Sequence, residues 1–415
     1  MGSYLYIMVL LLIMEEKTFT DICTISANIA AKSKVKQFRP LSEELFKKIH
    51  AVERGVCVLS GIRGSGKTTL LAQLAEKEEH ALFISAEALV PFSVVFLDFL
   101  HYAWSKGYKT LLIDEVHALP EWEKAVKLFY DETKTKIIVS GSSAIALKAK
   151  SSELSRRAQF YETKPLSFRE YIFLRTGILL PKIRISEIVD IERRKELEKE
   201  IMPHLHYFSS YLQFDALPAA LFDKNKDLYI TILERTVHYD LTSLVEIDTH
   251  YVDAVFRIIR VIASSPPGET SYSSLSMALG VSIKSIKEIL VALSYTGIIY
   301  LIPADGSGKK AVRKEEKILM PLSFRAALCS YYGISIPTGS MREDFFVQHV
   351  GHCSYFKTGI ERRTPDFVVG KYIFEVGSGS KGYEQIKEKV DAYFVKEGFP
   401  TGKREVPLYL FGLLY

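Results

Sequence analysis

Residues 61–69 read Gly61-Ile62-Arg63-Gly64-Ser65-Gly66-Lys67-Thr68-Thr69, with three glycines, a lysine and two threonine hydroxyls in one short run. Glycines at this density let the backbone curl until several N–H groups face a single anion. A helix starting at Lys67 would add the positive end of its dipole to that cradle. Gly61, Gly66, Lys67 and Thr68 fit the G-x-x-x-x-G-K-[ST] spacing. In that spacing the lysine reaches the terminal phosphates of a nucleotide and the hydroxyl ligates Mg2+. A chance match in a chain of this size is about one in a hundred.

A second set of polar residues stands at the ends of apolar runs. In "TLLIDEVH" the run delivers Asp114, suited to holding Mg2+ through water, and beside it Glu115, suited to orienting and polarising an attacking water. Ser140 ends "KTKIIVS" and is expected next to the Asp114 strand, where it can sense the terminal phosphate; Ser142 is the alternative. Arg157, or its neighbour Arg156, is the candidate for an arginine finger, in cis or across a subunit interface. No NKxD guanine signature follows, so ATP is expected rather than GTP.

These groups need a scaffold that presents strand ends together. From residue 41 onward apolar runs alternate with helical patterns: "GVCVLSG", "ALFISAE", "KTLLIDE", "KTKIIVSG" and "AQFYETKPLS" read as strands, and the segments between the first four as helices. That alternation predicts a parallel sheet covered on both faces. The charged run "EIVDIERRKELEKEI" reads as a solvated helix or connector.

With "PLSFREY" and "YLQFDALPAALFD" added, the chain resembles a group of prokaryotic, especially archaeal, AAA-type ATPases that carry a winged helix and a nuclease-like C-terminal domain of unknown function. The resemblance covers most of residues 38–415. It implies an α/β P-loop NTPase core, then a helical lid, a winged helix and a small α+β restriction-nuclease-like domain. The boundaries expected are an N-terminal extension over 1–37, the ATPase core over 38–180, a lid or connector over 181–250, the winged helix over 251–320 and the nuclease-like domain over 321–415. The second of the two landmark phrases stands in place of a more glycine-rich segment, which leaves the lid geometry open.

In "SYSSLSMALGVSIKSIKEILVALSYTGIIYLI" a short helix, a Gly-Val-Ser turn, a second helix and a strand follow in the order of a helix-turn-helix. Gly280 suits a left-handed turn and Ser282 an N-cap. Ile283, Ile286, Leu290 and Leu293 are expected inward, leaving Lys284 and Lys287 exposed. With Lys309, Lys310 and Arg313 on the wing these could contact DNA phosphates. Packing between domains or against a protein partner is the equal alternative.

Near the C-terminus "TPDFVVGKYIFEVG" predicts a hairpin turning at Gly370-Lys371. Its register sets Asp366 opposite Glu375, with side chains roughly 5 Å apart, a destabilising pair unless a cation lies between them. Glu343 is the candidate third carboxylate, and oxygen ligands of this kind suit Mg2+ or Mn2+. A lysine two residues after Glu375 would complete a nuclease motif, but Gly377 is there; Lys381 and Gln385 lie beyond. Three readings stay open: an active metal-dependent nuclease gated by the ATPase, a nuclease fold used for binding, or a surface cluster with Arg362 or Arg363.

The chain has 415 residues, 48% hydrophobic and 25% charged, with a net charge of +5. That composition predicts a well-packed globular protein of several domains and permits, without requiring, a nucleic-acid partner. Four cysteines without metal-ligand spacing fit a reducing cytoplasm. The opening "YLYIMVLLLIM" is shorter than the roughly 18 residues of a membrane span, and it lacks a basic leader and a cleavage site. Met14 is the alternative first residue. The function expected is a nucleotide-driven switch acting on DNA or a protein; a gated nuclease and a non-enzymatic scaffold are the alternatives.

Overall fold

The computed structural model describes residues 14–415 except 34, 36, 145–149, 151, 214–215, 223–226, 243, 245–248, 307–313, 338, 357–364 and 378–388. The chain divides into two compact units, residues 1–164 and 165–415.

In the first unit the elements run α1 (Glu16–Lys32), α2 (Pro40–His50), β1 (Val56–Gly61), α3 (Lys67–Lys77), β2 (Ala81–Ser85), α4 (Phe96–Ser105), β3 (Thr110–Asp114), α5 (Trp122–Thr133), β4 (Lys136–Ser140) and β5 (Ala158–Thr163). The five strands form one parallel sheet in the order β2-β3-β4-β1-β5. Side chains alternate between two cores, as a sheet covered on both faces requires. Val56, Val58, Ile113 and Val139 pack with Phe99, Trp122 and Phe129 on one side. Cys57, Leu59, Leu112 and Ile138 pack with Leu45, Ile49, Leu70 and Leu74 on the other. All five strands appear where the apolar runs predict them. Helix α4 starts only at Phe96, because Pro91 lies in a short 3-10 turn and Ser93 takes a left-handed backbone.

The N-terminal boundary differs from expectation. Helix α1 belongs to the core of the first unit: Phe19 and Ile22 are buried with Phe99 and Tyr102, and Ser85 N donates to Ser26 Oγ at 3.1 Å. The helix thereby satisfies one backbone N–H on the outer edge of β2, at Ser85. Residues 1–13 lie outside the described residues. Among those described, no single helix is long and apolar enough to cross a membrane.

The second unit begins at Pro165, earlier than the expected boundary at 180. Helix α6 (Phe168–Thr176) opens it with a capping box at Ser167 and Glu170. Its Phe168, Tyr171 and Ile172 share one core with Ile188, Leu197, Phe208, Tyr211, Phe345, Phe374 and Leu408. The helices between residues 185 and 213 therefore form part of the C-terminal core. Up to residue 213, the lid expected over 181–250 is therefore not a separate layer, because the apolar faces of those helices are used in that core.

Over the residues expected to form a winged helix, the described helices and strands run in the predicted order. Helix α7 (Thr249–Ser264) precedes α8 (Tyr272–Leu279) and α9 (Ile283–Thr296), and β6 (Tyr300–Ile302) pairs antiparallel with β7 (Lys317–Leu319). Gly280 is left-handed at φ 66°, and Ser282 caps α9 by accepting from Ser285 N at 3.1 Å. Ile286, Leu290 and Leu293 are buried, but Ile283 is exposed because it opens the helix at the turn.

After helices α10 (Leu322–Tyr331) and α11 (Ser340–Val350), five strands close the second unit: β8 (Ser354–Tyr355), β9 (Phe367–Val369), β10 (Tyr372–Gly377), β11 (Ala392–Lys396) and β12 (Glu405–Pro407). They stand in the order β12-β11-β10-β9-β8. The hairpin register matches the sequence reading: Tyr372 faces Val369, Ile373 faces Val368 and Phe374 faces Phe367, with Gly370 left-handed at φ 60°.

Candidate functional site

The carboxyl ends of β1, β3, β4 and β5 meet at one edge of the first sheet. Because β4 lies between β1 and β3, Ser140 stands between the glycine loop and Asp114. The loop leaves β1 at Gly61, where a side chain would collide with Thr163 of β5. Gly64 and Gly66 are left-handed at φ 80° and 91°, a conformation glycine adopts without steric cost. Helix α3 then starts at Lys67 with no side-chain cap at Gly66, so the positive end of its dipole faces the loop.

Lys67 is buried, and its ammonium donates to the carbonyls of Gly61 (2.9 Å) and Ile62 (3.1 Å). Ser65 N donates to Ile62 O at 3.2 Å, which tightens the loop, and Ser65 Oγ lies 2.6 Å from Thr163 Oγ1. Arg39, at the start of α2, donates to Ser65 O at 2.9 Å and to Lys164 O at 3.0 Å. Thr69 hydrogen bonds to Ser33 O at 3.0 Å, so its hydroxyl ties the helix to the end of α1. Its contribution to the loop is confined to backbone.

Asp114 is buried and accepts from Ser140 Oγ; the Thr68 hydroxyl also hydrogen bonds to it. Burial pushes its carboxyl above the usual range and the charge of Glu115 adds to this, while Ser140, Thr68 and Lys67 pull the other way. A desolvated carboxylate among hydroxyl oxygens suits a hard divalent cation, and Thr68 with Asp114 is the pair that would hold Mg2+. Glu115 follows with a left-handed backbone, φ 50° and ψ 42°, and its side chain keeps 20% exposure. That partial opening gives a water access to its carboxylate. His117 Nδ1 lies 3.2 Å from Glu115 Oε2, and Arg63 Nη2 lies 3.3 Å from His117 Nε2.

Arg157 does not join this site. It precedes β5, so in a parallel sheet it sits at the opposite edge, beside Gly55. Asp131 holds its guanidinium at both ends, at 2.6 and 2.8 Å. A cis arginine finger at this residue is thereby excluded.

In the second unit, Glu343, Asp366 and Glu375 do come together, but no group of three metal-ligating residues fit to hold a metal ion forms among the described residues. Lys317 of β7 pairs with Glu343, and its ammonium lies 3.4 Å from Asp366 Oδ1 and 4.6 Å from the Phe367 ring centre. Asp366 Oδ2 also accepts from Val376 N at 2.9 Å. The expected metal position is thus served by an ammonium from a strand 49 residues away in sequence. Burial, then the neighbouring carboxylates, pushes Glu375 up to about 9. Burial likewise takes Glu343 up to about 7. The missing lysine at Gly377 also has a steric reason: a Cβ there would stand 3.1 Å from the Phe394 ring. Arg362, Arg363, Lys381 and Gln385 lie outside the described residues.

Lys284 and Lys287 are exposed on α9, with Lys284 4.0 Å from Glu288. Lys309, Lys310 and Arg313 of the expected wing lie outside the described residues.

Residues 53–172 match the family described as AAA domain. With the five-stranded parallel sheet and the glycine loop, the first unit has the architecture of a P-loop NTPase core. A protein of Methanocaldococcus jannaschii, uncharacterized protein MJ1637, is 27% identical over 401 residues, covering 87% of this chain and 84% of its own. A second protein of that organism, uncharacterized protein MJ1544, is 29% identical over 189 residues, 44% of this chain and 41% of its own. Among solved structures, AMPPCP-bound DnaA from Aquifex aeolicus aligns at 14% identity and TM-score 0.26, covering 63% of this chain and 89% of its own. A STAND protein with a tetratricopeptide repeat sensor from Pyrococcus horikoshii aligns at 15% identity and TM-score 0.26, covering 76% and 45%.

Proposed function

We propose that this chain binds and hydrolyses Mg-ATP and uses its nucleotide state as a switch on DNA or a protein partner. The observation that carries this reading is the buried Asp114 with the Ser140 and Thr68 hydroxyls on it, beside Lys67 and the uncapped start of α3. Loop N–H groups and Lys67 would hold the phosphates, and Thr68 and Asp114 the Mg2+. Ser140 would follow the terminal phosphate, and Glu115 would orient the attacking water. Mg2+ supplies charge neutralisation at the transferring phosphoryl group.

The exposed Lys284 and Lys287 support a phosphate-rich partner such as DNA, bound with strong salt dependence and little sequence preference. No observation favours the nuclease reading, since Lys317 supplies positive charge where a metal was expected.

The test is phosphate release from ATP by the wild type and by Lys67→Ala, with and without duplex DNA. The expected outcome is loss of turnover in the variant by at least about 100-fold with unchanged Trp104 and Trp122 fluorescence. Equal turnover in the two proteins refutes the assignment. Stimulation by DNA that fades with salt supports DNA as the partner.

A further inference from the structure

Arg39 stands at the start of α2, 26 residues before Ser65, yet its side chain ends at the phosphate loop. It is 7% exposed, and its guanidinium spans two chain segments. Nη1 donates to Ser65 O at 2.9 Å and Nη2 to Lys164 O, just beyond β5, at 3.0 Å. The two nitrogens are fixed relative to each other in a planar group. With the Lys164 carbonyl as one anchor, the direction of the Ser65 carbonyl is set.

A trans peptide is planar, so its C=O and N–H point opposite ways. Turning the Ser65 carbonyl onto Arg39 therefore turns the Gly66 N–H away from the guanidinium. None of the hydrogen bonds among the described residues takes that N–H. The following peptide is held separately, since Gly66 O accepts from Leu70 N at 3.0 Å at the start of α3. Gly66 is left-handed, at φ 91° and ψ 25°, and has no side chain to restrain the peptide before it. That restraint comes from Arg39.

We infer that Arg39 is a positioning residue of the nucleotide site, whose fork on Ser65 and Lys164 presents the Gly66 N–H to the nucleotide phosphates. The inference rests on the ATPase reading given above. Arg39 itself touches no phosphate in this assignment; its donors face backbone carbonyls. Without the fork the 65–66 peptide is free to rotate, and one donor leaves the cradle. Losing a hydrogen bond to a charged group corresponds to roughly 10- to 100-fold in binding. The loss should fall on affinity, because Asp114, Glu115 and Ser140 are untouched.

Arg39→Met keeps much of the stem and removes both donors, whereas Arg39→Lys keeps the charge without a planar fork. Calorimetric affinity for the non-hydrolysable analogue AMPPCP with Mg2+, kcat at saturating ATP and the tryptophan unfolding midpoint would be measured for both variants and the wild type. Arg39→Met is expected to bind about 10-fold or more weakly, with kcat within about threefold. Arg39→Lys is expected in between, about three- to fivefold weaker. Both losses should persist well below the unfolding midpoint. A residue that only stabilised the fold would lower the midpoint and leave the affinity of the folded protein unchanged.

Wild-type affinity in Arg39→Met, or a loss confined to kcat, overturns the inference. Wild-type affinity in Arg39→Lys also overturns it, since charge alone would then suffice. Should Arg39→Met not fold, Arg39→Lys decides by the same criterion. A wild type that binds the analogue while both variants match it leaves the ATPase assignment standing. A wild type that binds no analogue removes both.

Discussion

Replacing Lys317 with methionine would leave the length and apolar stem of the side chain and delete its charge. In the native protein this ammonium is only 10% exposed, touches Glu343 and Asp366, and rests over the Phe367 ring. Burial alone would lower its pKa, but the two carboxylates outweigh that and raise it. Removing one partner of a buried charge cluster strands the others, at a cost of about 3–5 kcal/mol. For a unit of this size each kcal/mol moves the midpoint by about 2–4 °C, so a fall on the order of 10 °C is expected. The assay separates the two units: both tryptophans, Trp104 and Trp122, lie in the first, whereas far-UV circular dichroism reads both. The Lys317→Met variant should lower the dichroism transition at pH 8 and leave the tryptophan transition in place. At pH 6 the loss should shrink, because Glu343, raised to about 7, takes up a proton and no longer needs a counter-charge. An unchanged transition at pH 8, or an equal loss at both pH values, would refute the idea that Lys317 balances this cluster.

Glu375→Gln tests the same cluster from the other side. Its folded-state pKa of about 9 lies above the ordinary 4.5, so the folded protein binds the extra proton and loses stability as pH rises between those values. The slope is up to about 1.4 kcal/mol per pH unit for this group. The glutamine variant should match the wild type near pH 5 and exceed it at pH 8.5 in thermal unfolding, and a parallel pH dependence would count against the assignment. In the first unit, Ser140→Ala removes a buried donor to Asp114 and should lower kcat by about 10²-fold with ATP affinity kept within a few fold. A Ser140→Ala enzyme at full rate would show that the hydroxyl does not sense the reacting phosphate.

The parts of this protein that were legible in the sequence are those whose signal is local. The five strands of the first sheet are buried on both faces, so each is a continuous apolar run. The loop from Gly61 to Thr68 declares itself by glycine spacing, and the C-terminal hairpin register follows from its two-residue turn. Lys317 carries no such signal: it meets Asp366 only because β7 packs beside the C-terminal sheet. Helix α1 was misjudged because it follows an apolar stretch and precedes the recognisable core, although Phe19 and Ile22 lie three apart on one face. The place of Arg157 follows from strand direction alone. Parallel strands all start at one edge, so the residue before β5 is a strand's length of six residues, roughly 20 Å, from Gly61.

The strand order does more than gather the site. Inserting β4 between β1 and β3 places a hydroxyl, not a backbone gap, between the phosphate loop and the buried Asp114. On the other side of β1, β5 is fastened to the same loop by Ser65 and Thr163, and Arg39 holds the carbonyls of Ser65 and Lys164 in one guanidinium. A guanidinium is planar and its two donors are fixed relative to each other. A shift of the Ser65 carbonyl must then either move the Lys164 carbonyl with it or break a buried hydrogen bond at a cost of about 1–3 kcal/mol. The loop and the end of β5 are thus tied together within the first unit, whose last residue is Lys164.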